Sequence, residues 1–263
     1  MNPPSEEQRL AARERPAGEK PVMYQTWSQL LFLHWTLSAE AVQETLPEGL
    51  FVDTYEGAAW VGVVPFEMRN IRPRGMCALP WISDFLELNV RTYVHDEAGN
   101  PGVWFYSLDT NRWLAYRIAR TFFKLSYFPA RMSATRHAGG NLDYRTCRKG
   151  AAREESRMVY RPDEGGEAVV AAPGTLEFFL LERYLLFSHD GKRNRLFTGQ
   201  VHHAPYRYRP AVVEKWDTLP AQWDALPGLV GDPVHQCVAE PVDVEVFSLR
   251  KASLTGSSAS ARN

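Results

Sequence analysis

Between Phe85 and Val94 the chain alternates without a break. Leu86, Leu88, Val90, Thr92 and Val94 fall on one side, and Phe85, Glu87, Asn89, Arg91 and Tyr93 on the other. Period two is the signature of a strand, because successive side chains point to opposite faces. DEAGNPG follows as a turn and VWFYSLD as the returning strand. Asp109, Thr110 or Asn111 then caps a predicted helix reaching about Phe123, with Trp113, Leu114, Ile118 and Phe122 at helical spacing.

The same pattern extends in both directions. LLFLHWTL reads as an early strand, and Ser38 caps a short helix with Glu40 in its first turn. LFVDTY, the Glu56-Gly57 turn and AAWVGVVPFEM predict a hairpin. Ala58 to Val64 is apolar on both faces, which suits a central strand. FPARMSATRH and NLDYRTCRK flank Gly139-Gly140 as another hairpin, and ESRMVYRP adds a strand. Thr175 caps LEFFLLERY, LLFSH pairs with RLFTGQVHH, AQWDAL is a short helix, and PVDVEVFSL is the last strand. Many hairpin-joined strands with few helices between them define an α+β domain on a mostly antiparallel sheet.

The ends differ from this body. Residues 1–21 are polar and Pro-rich, and are expected to be a flexible N-terminal arm whose SEEQRLAARER forms a short helix before Pro16. Residues 22–250 form a single domain, and the small polar residues of 251–263 a disordered tail.

Composition narrows the function classes. A net charge of −1 does not suit a nucleic-acid partner. No apolar run is long enough to span a bilayer, so no membrane association is expected. Three widely spaced cysteines without a CxxC argue against zinc or a redox pair and fit a cytoplasmic setting. Glycine-rich phosphate loops, HExxH and GxSxG are absent, which lowers nucleotide, zinc-protease and α/β-hydrolase chemistry. No metal and no cofactor is expected. Oligomeric state stays open, with a homo-oligomer as one outcome.

The polar residues inside the strands are the chemical candidates. Glu87, Asn89 and Arg91 share one face, which is either a solvated sheet surface or the lining of a closed barrel's cavity. Arg131 shares its face with Ser133, Thr135 and His137; it is either solvated or placed to grip a carboxylate bidentately. His202 and His203 are adjacent on a strand and so point apart, which makes one inward histidine the better reading than a shared metal. His34 suits a core position. Arg183-Tyr184 either caps the preceding helix, the favoured reading, or reaches a pocket.

Seven segments together resemble one family: QTWSQLLFLHW, LPEGLFVDTYEGAAWVGVVPF, DFLELNVRTYV, GVWFYSLD, YFPARM, LERYLLF and VHHAPY. They are similar to the YqjF-like family of uncharacterised bacterial proteins, a domain of unknown function. The resemblance implies an acetoacetate decarboxylase-like fold: a cone-shaped, mostly antiparallel β-barrel with flanking helices and an internal cavity. In that decarboxylase a lysine in a Pro-Lys-Lys segment forms a Schiff base. Here the matching segment is Pro129-Ala130-Arg131, so Ala130 stands at the nucleophile position and Arg131 at the neighbouring cation. Arginine stays protonated and cannot take over, and Lys124 falls before the strand. Glu87 matches the decarboxylase's strand glutamate.

The resemblance therefore implies a cavity without Schiff-base chemistry. The ligand-binding set is Glu87, Asn89, Arg91, Tyr127, Arg131 and His202, with a small oxo or carboxylic acid as the partner. The alternatives are a non-covalent lyase, isomerase or hydrolase, with Glu87 as acid or base and Arg131 as anion holder, and a structural or interaction protein.

Overall fold

The computed structural model describes residues 3–79, 83–112, 124–151, 154–226 and 228–252. Sixteen strands join in one continuous pairing. In chain order they are β1 (Met23–Ser28), β2 (Leu30–Leu37), β3 (Leu50–Val52), β4 (Ala59–Pro73), β5 (Phe85–Asp96), β6 (Pro101–Thr110), β7 (Tyr127–Arg136) and β8 (Leu142–Arg148). Then come β9 (Ser156–Pro162), β10 (Val169–Val170), β11 (Leu185–Asp190), β12 (Arg195–His203), β13 (Arg207–Lys215), β14 (His235–Ala239), β15 (Val242–Val246) and β16 (Arg250–Lys251). The helices described are short: α1 (Glu6–Ala11), α2 (Ala39–Gln43), α3 (Leu176–Leu181) and α4 (Leu219–Trp223). None of them is long and apolar enough to cross a membrane.

Twelve strands close into a ring in the order β1, β15, β12, β11, β6, β7, β8, β9, β13, β14, β2, β4, with β4 returning to β1. All its pairings are antiparallel except β6 with β7 and β6 with β11. The strand organising this ring is β5. It pairs with β4 on one side and β6 on the other, so it crosses the ring and divides it in two. Of its twelve residues only Leu86 is not fully buried. A strand covered on both faces explains why its polar residues need an internal account.

Two features of the pairing fit β5 into place. β1 and β2 both pair with the long β4, the chain turning between them at Gln29, where φ is 55°. On β6 one extra residue, Tyr106, interrupts the register opposite Val90 and Arg91. This bulge moves the inward face of β6 from Val103 and Phe105 to Leu108.

On one side of β5 lies the ring of β2, β4, β5, β6, β7, β8, β9, β13 and β14. It is filled by Leu31, Leu33, Trp35, Val61, Val63, Leu88, Val90, Tyr144 and Tyr160, all 1% exposed or less. On the other side lies the ring of β1, β4, β5, β6, β11, β12 and β15, and it is not filled.

Most expected elements are present, and one expectation changes. LFVDTY does not form a hairpin with AAWVGVV: β3 pairs with β5, and contact across the turn is the single bridge Tyr55↔Ala58. The cause lies at Asp53, whose N–H donates to Tyr93 O and whose carboxylate turns inward to two arginines. The expected arm is tied to the body. Ser5 caps α1, Arg9 reaches Asp53, and Arg15 reaches Glu245 at 2.6 Å. The helix predicted to run to Phe123 lies beyond Arg112 outside the described residues, while Asp109 and Thr110 end β6. The tail expected at 251–263 is described only at Lys251 and Ala252.

Candidate functional site

Strand alternation on β5 sends Phe85, Glu87 and Arg91 into the unfilled ring, where they line a cavity of about 180 Å³. That is the size of space that holds a small organic molecule rather than a single water. Apolar side chains make most of the wall, among them Trp27, Phe105, Leu181 and Val246. Its polar members are Gln25, Glu87, Arg91, Tyr127, Arg183 and Tyr206.

Glu87 is 2% exposed. Tyr127, brought alongside by the parallel pairing of β6 and β7, donates its hydroxyl proton to Glu87 Oε2 at 2.8 Å. Burial pushes the Glu87 carboxyl up to about 8; the Tyr127 hydrogen bond opposes this and the nearby Asp109 charge adds to it. Glu87 is therefore mostly a neutral acid at pH 7. Burial likewise drives the Tyr127 phenol well above its ordinary value, with the Glu87 charge adding to it.

Arg91 is 9% exposed, and no carboxylate pairs with it among the described residues. Its Nη2 donates to Tyr93 Oη at 3.2 Å and to Leu180 O at 3.1 Å. The guanidinium also lies 5.2 Å from the Phe32 ring centre and 5.5 Å from that of Tyr93. These contacts orient a cation without neutralising it. Gly62 leaves room for the His34 ring beside Arg91: a Cβ there would stand 3.1 Å from that ring and at an ordinary 3.5 Å from Arg91 Cγ. Behind Arg91, His34 Nε2 lies 2.7 Å from Tyr93 Oη, and its Nδ1 lies 2.9 Å from His235 Nδ1. Burial holds His34 well below the usual histidine range, helped by the charges of His235 and Arg91.

Arg183 is the second cation at the wall. Its Nε donates to Phe179 O at 2.6 Å, capping α3, and its Nη1 donates to Asp53 Oδ2 at 2.8 Å. The two readings of Arg183, helix cap and pocket residue, are thus both met. Burial lowers its affinity for its proton, and the Asp53 charge opposes that.

The expected ligand set divides. Glu87, Arg91 and Tyr127 meet at the cavity. Asn89 is buried on the same strand but is not among the described lining residues, and its Oδ1 has no hydrogen-bond partner among the described residues. Arg131 is exposed on the outer face of β7, as are Ser133 and Thr135, and His137 after them is exposed too, while Ala130 is buried. His202 Nδ1 donates to Arg13 O, 3.2 Å away, outside the cavity lining. Its neighbour His203 is the inward one, 3% exposed and stacked on Tyr184, with burial lowering its pKa to about 4. None of the six lysines is among the described lining residues, and Lys124 pairs with Asp190 at 3.1 Å. Sequence reading did not assign Gln25, Tyr206 or Asp53 to the site. They come from segments far apart in the chain, Gln25 from β1, Asp53 from just after β3 and Tyr206 from between β12 and β13, and no local spacing joins them.

The comparisons with known proteins agree with this architecture. The model of family DUF2071, described as an uncharacterized conserved protein, matches residues 24–243. The protein described as uncharacterized protein YqjF from Bacillus subtilis (strain 168) is 37% identical over 193 residues, covering 73% of this chain and 77% of its own length. Among solved structures, the enduracididine biosynthesis enzyme MppR complexed with pyruvate has a TM-score of 0.61 at 15% identity, covering 91% of this chain and 93% of that one. An acetoacetate decarboxylase-like enzyme from Sphingomonas wittichii has a TM-score of 0.60 at 12% identity, covering 91% and 97%. Acetoacetate decarboxylase from Legionella pneumophila gives 0.57 at 13% identity, covering 92% and 94%. At such identities the structural likeness carries the fold alone. The chain belongs to the YqjF-like DUF2071 family and has an acetoacetate decarboxylase-like fold.

Proposed function

We propose that the protein binds a small carboxylic acid, of oxo-acid size, in the cavity beside β5. The observation that carries this reading is Arg91: a buried guanidinium at a cavity of about 180 Å³ with no carboxylate paired to it among the described residues. An isolated buried cation is costly, and an anionic ligand removes that cost while the aromatic wall covers its apolar part. Glu87, neutral at pH 7, is available to donate a hydrogen bond to a carbonyl or carboxylate oxygen. The pyruvate bound to MppR supports the same ligand class by analogy of fold. In this reading the anion-holding role falls to Arg91 rather than Arg131, and the ligand is held without a covalent bond because no lysine is among the described wall residues. A cytoplasmic setting belongs to the same reading.

Calorimetric titration with pyruvate and with its neutral methyl ester tests it. The acid binds and the ester does not; equal affinity for both would rule out a charge-selecting site.

A second reading uses the same pocket catalytically, with Glu87 as general acid in a non-covalent lyase, isomerase or hydrolase. Its support is the carboxyl pushed to about 8, close to the pH at which proton transfer is most efficient. Exchange of deuterium from solvent into the pyruvate methyl group, followed by proton NMR, separates the two. Catalysis gives exchange that Glu87→Gln abolishes, while simple binding gives none.

A further inference from the structure

The N-terminal arm touches the cavity at one remove. Arg9 and Arg13 lie four residues apart, at and just past the end of α1, a spacing that puts them on one side of the turn. Arg9 engages Asp53 bidentately, at 2.6 and 2.7 Å. Asp53 is fully buried, and the Oδ2 that accepts from Arg9 Nη1 also accepts from Arg183 Nη1. Both guanidinium groups also sit over the Phe179 ring, Arg9 at 5.1 Å and Arg183 at 4.3 Å. Arg13 Nε lies 3.5 Å from Glu182, a second buried carboxylate. Glu182 accepts from Tyr206 N at 3.0 Å and from Tyr184 Oη at 2.6 Å. Arg183 and Tyr206, the residues at the far end of each chain of contacts, both line the cavity. The arm lies outside residues 24–243, the part matched by the family.

We propose that Arg9 and Arg13 are positioning residues: docking of the N-terminal arm on Asp53 and Glu182 fixes Arg183 and Tyr206 in the cavity wall. A charge-assisted, bidentate contact restricts Asp53, and the restricted carboxylate in turn fixes the guanidinium it shares. Ligand binding and arm docking are coupled as a consequence, each favouring the other by the same factor. The coupling rests on the carboxylate reading above; the positioning does not.

Two measurements test them separately. In nitrogen-15 NMR the Nε–H of Arg183, identified by its loss in Arg183→Lys, exchanges slowly because it is buried against Phe179 O. Arg9→Met is expected to speed that exchange at least about tenfold, Arg9→Lys to restore part of the protection, and Arg15→Met to leave it unchanged. Arg15 is the control because it also ties the arm down but pairs with Glu245, a surface residue. Unchanged exchange in Arg9→Met, or equal acceleration in Arg9→Met and Arg15→Met, overturns the positioning role. The second measurement is the dissociation constant for pyruvate, expected to rise about tenfold in Arg9→Met and to stay constant in Arg15→Met. Equal affinities in wild type and Arg9→Met overturn the coupling. A wild-type protein that does not bind pyruvate, yet keeps the exchange order, refutes the ligand reading and upholds the arm's role.

Discussion

The two sides of β5 are built from neighbouring residues and have opposite character. Leu88 and Val90 point into the filled ring, among aliphatic and aromatic side chains. Glu87 and Arg91 point into the hollow one. The filled ring does contain charge, but there the charges face one another. Arg148 Nε donates to Asp109 at 2.7 Å, its Nη1 to Asp224 and its Nη2 to Ser107 at 2.6 Å. On the hollow side Arg91 has hydroxyl, carbonyl and ring contacts but, among the described residues, no counter-charge. A buried charge with partners on all sides belongs to the structure. One that opens on a cavity without a counter-ion is arranged for something absent from the chain.

The difference between Arg148 and Arg91 can be broken most directly by removing each charge in turn. Arg148→Met leaves Asp109 and Asp224 buried without their cation, and should cost about 3–5 kcal/mol in urea unfolding. Arg91→Met removes a cation with no paired carboxylate among the described residues, and should change stability by less than about 1 kcal/mol or raise it. A similar large loss for both would mean that Arg91 is structural.

Glu87 gives the next largest effect, and it depends on pH. Its folded pKa of about 8 lies above the ordinary carboxylate value, so the folded protein keeps a proton that the unfolded chain releases. Stability then falls as pH rises from the ordinary carboxylate range to about 8 and levels off above that. Glu87→Gln, which cannot ionise, should lose that slope, gaining on the wild type by a few kcal/mol between pH 5 and pH 9. Parallel stability curves for the two proteins would place Glu87 in contact with solvent.

Gly62→Ala is the mildest change. The added methyl stands 3.1 and 3.2 Å from His34 ring atoms. It should displace Arg91 by a few tenths of an ångström, weakening pyruvate binding severalfold with a stability cost of about 1 kcal/mol. Unaltered binding would mean that the position of Arg91 is not critical.

Much of the packed side was legible in the sequence, because period-two alternation and turn residues are local signals. The β5–β6 hairpin, the Gly139-Gly140 hairpin and the cap at Thr175 follow from adjacent residues alone. The hollow side was only half legible. Glu87 and Arg91 stood out as charges inside an apolar strand, and Tyr127 joined them through the family resemblance. Arg131 also stood out, yet on β7, opposite Cys147 of β8, alternation puts it on the outward face, while Met132 and Ala134 pack toward the core. Asp53 was read as part of a hairpin because nothing nearby in sequence marks its partners, Arg9 and Arg183, which are 44 and 130 residues away. The bulge at Tyr106 is equally silent: strict alternation would have put Leu108 on the wrong face.

The central claim is that Arg91, and not Arg131, receives a carboxylate in the cavity. It is tested most directly by calorimetric titration of pyruvate into wild type, Arg91→Met and Arg131→Ala at pH 7 and one salt concentration. The account predicts binding by wild type and Arg131→Ala with the same affinity, and a loss of at least about 100-fold in Arg91→Met. Undiminished binding by Arg91→Met would contradict it.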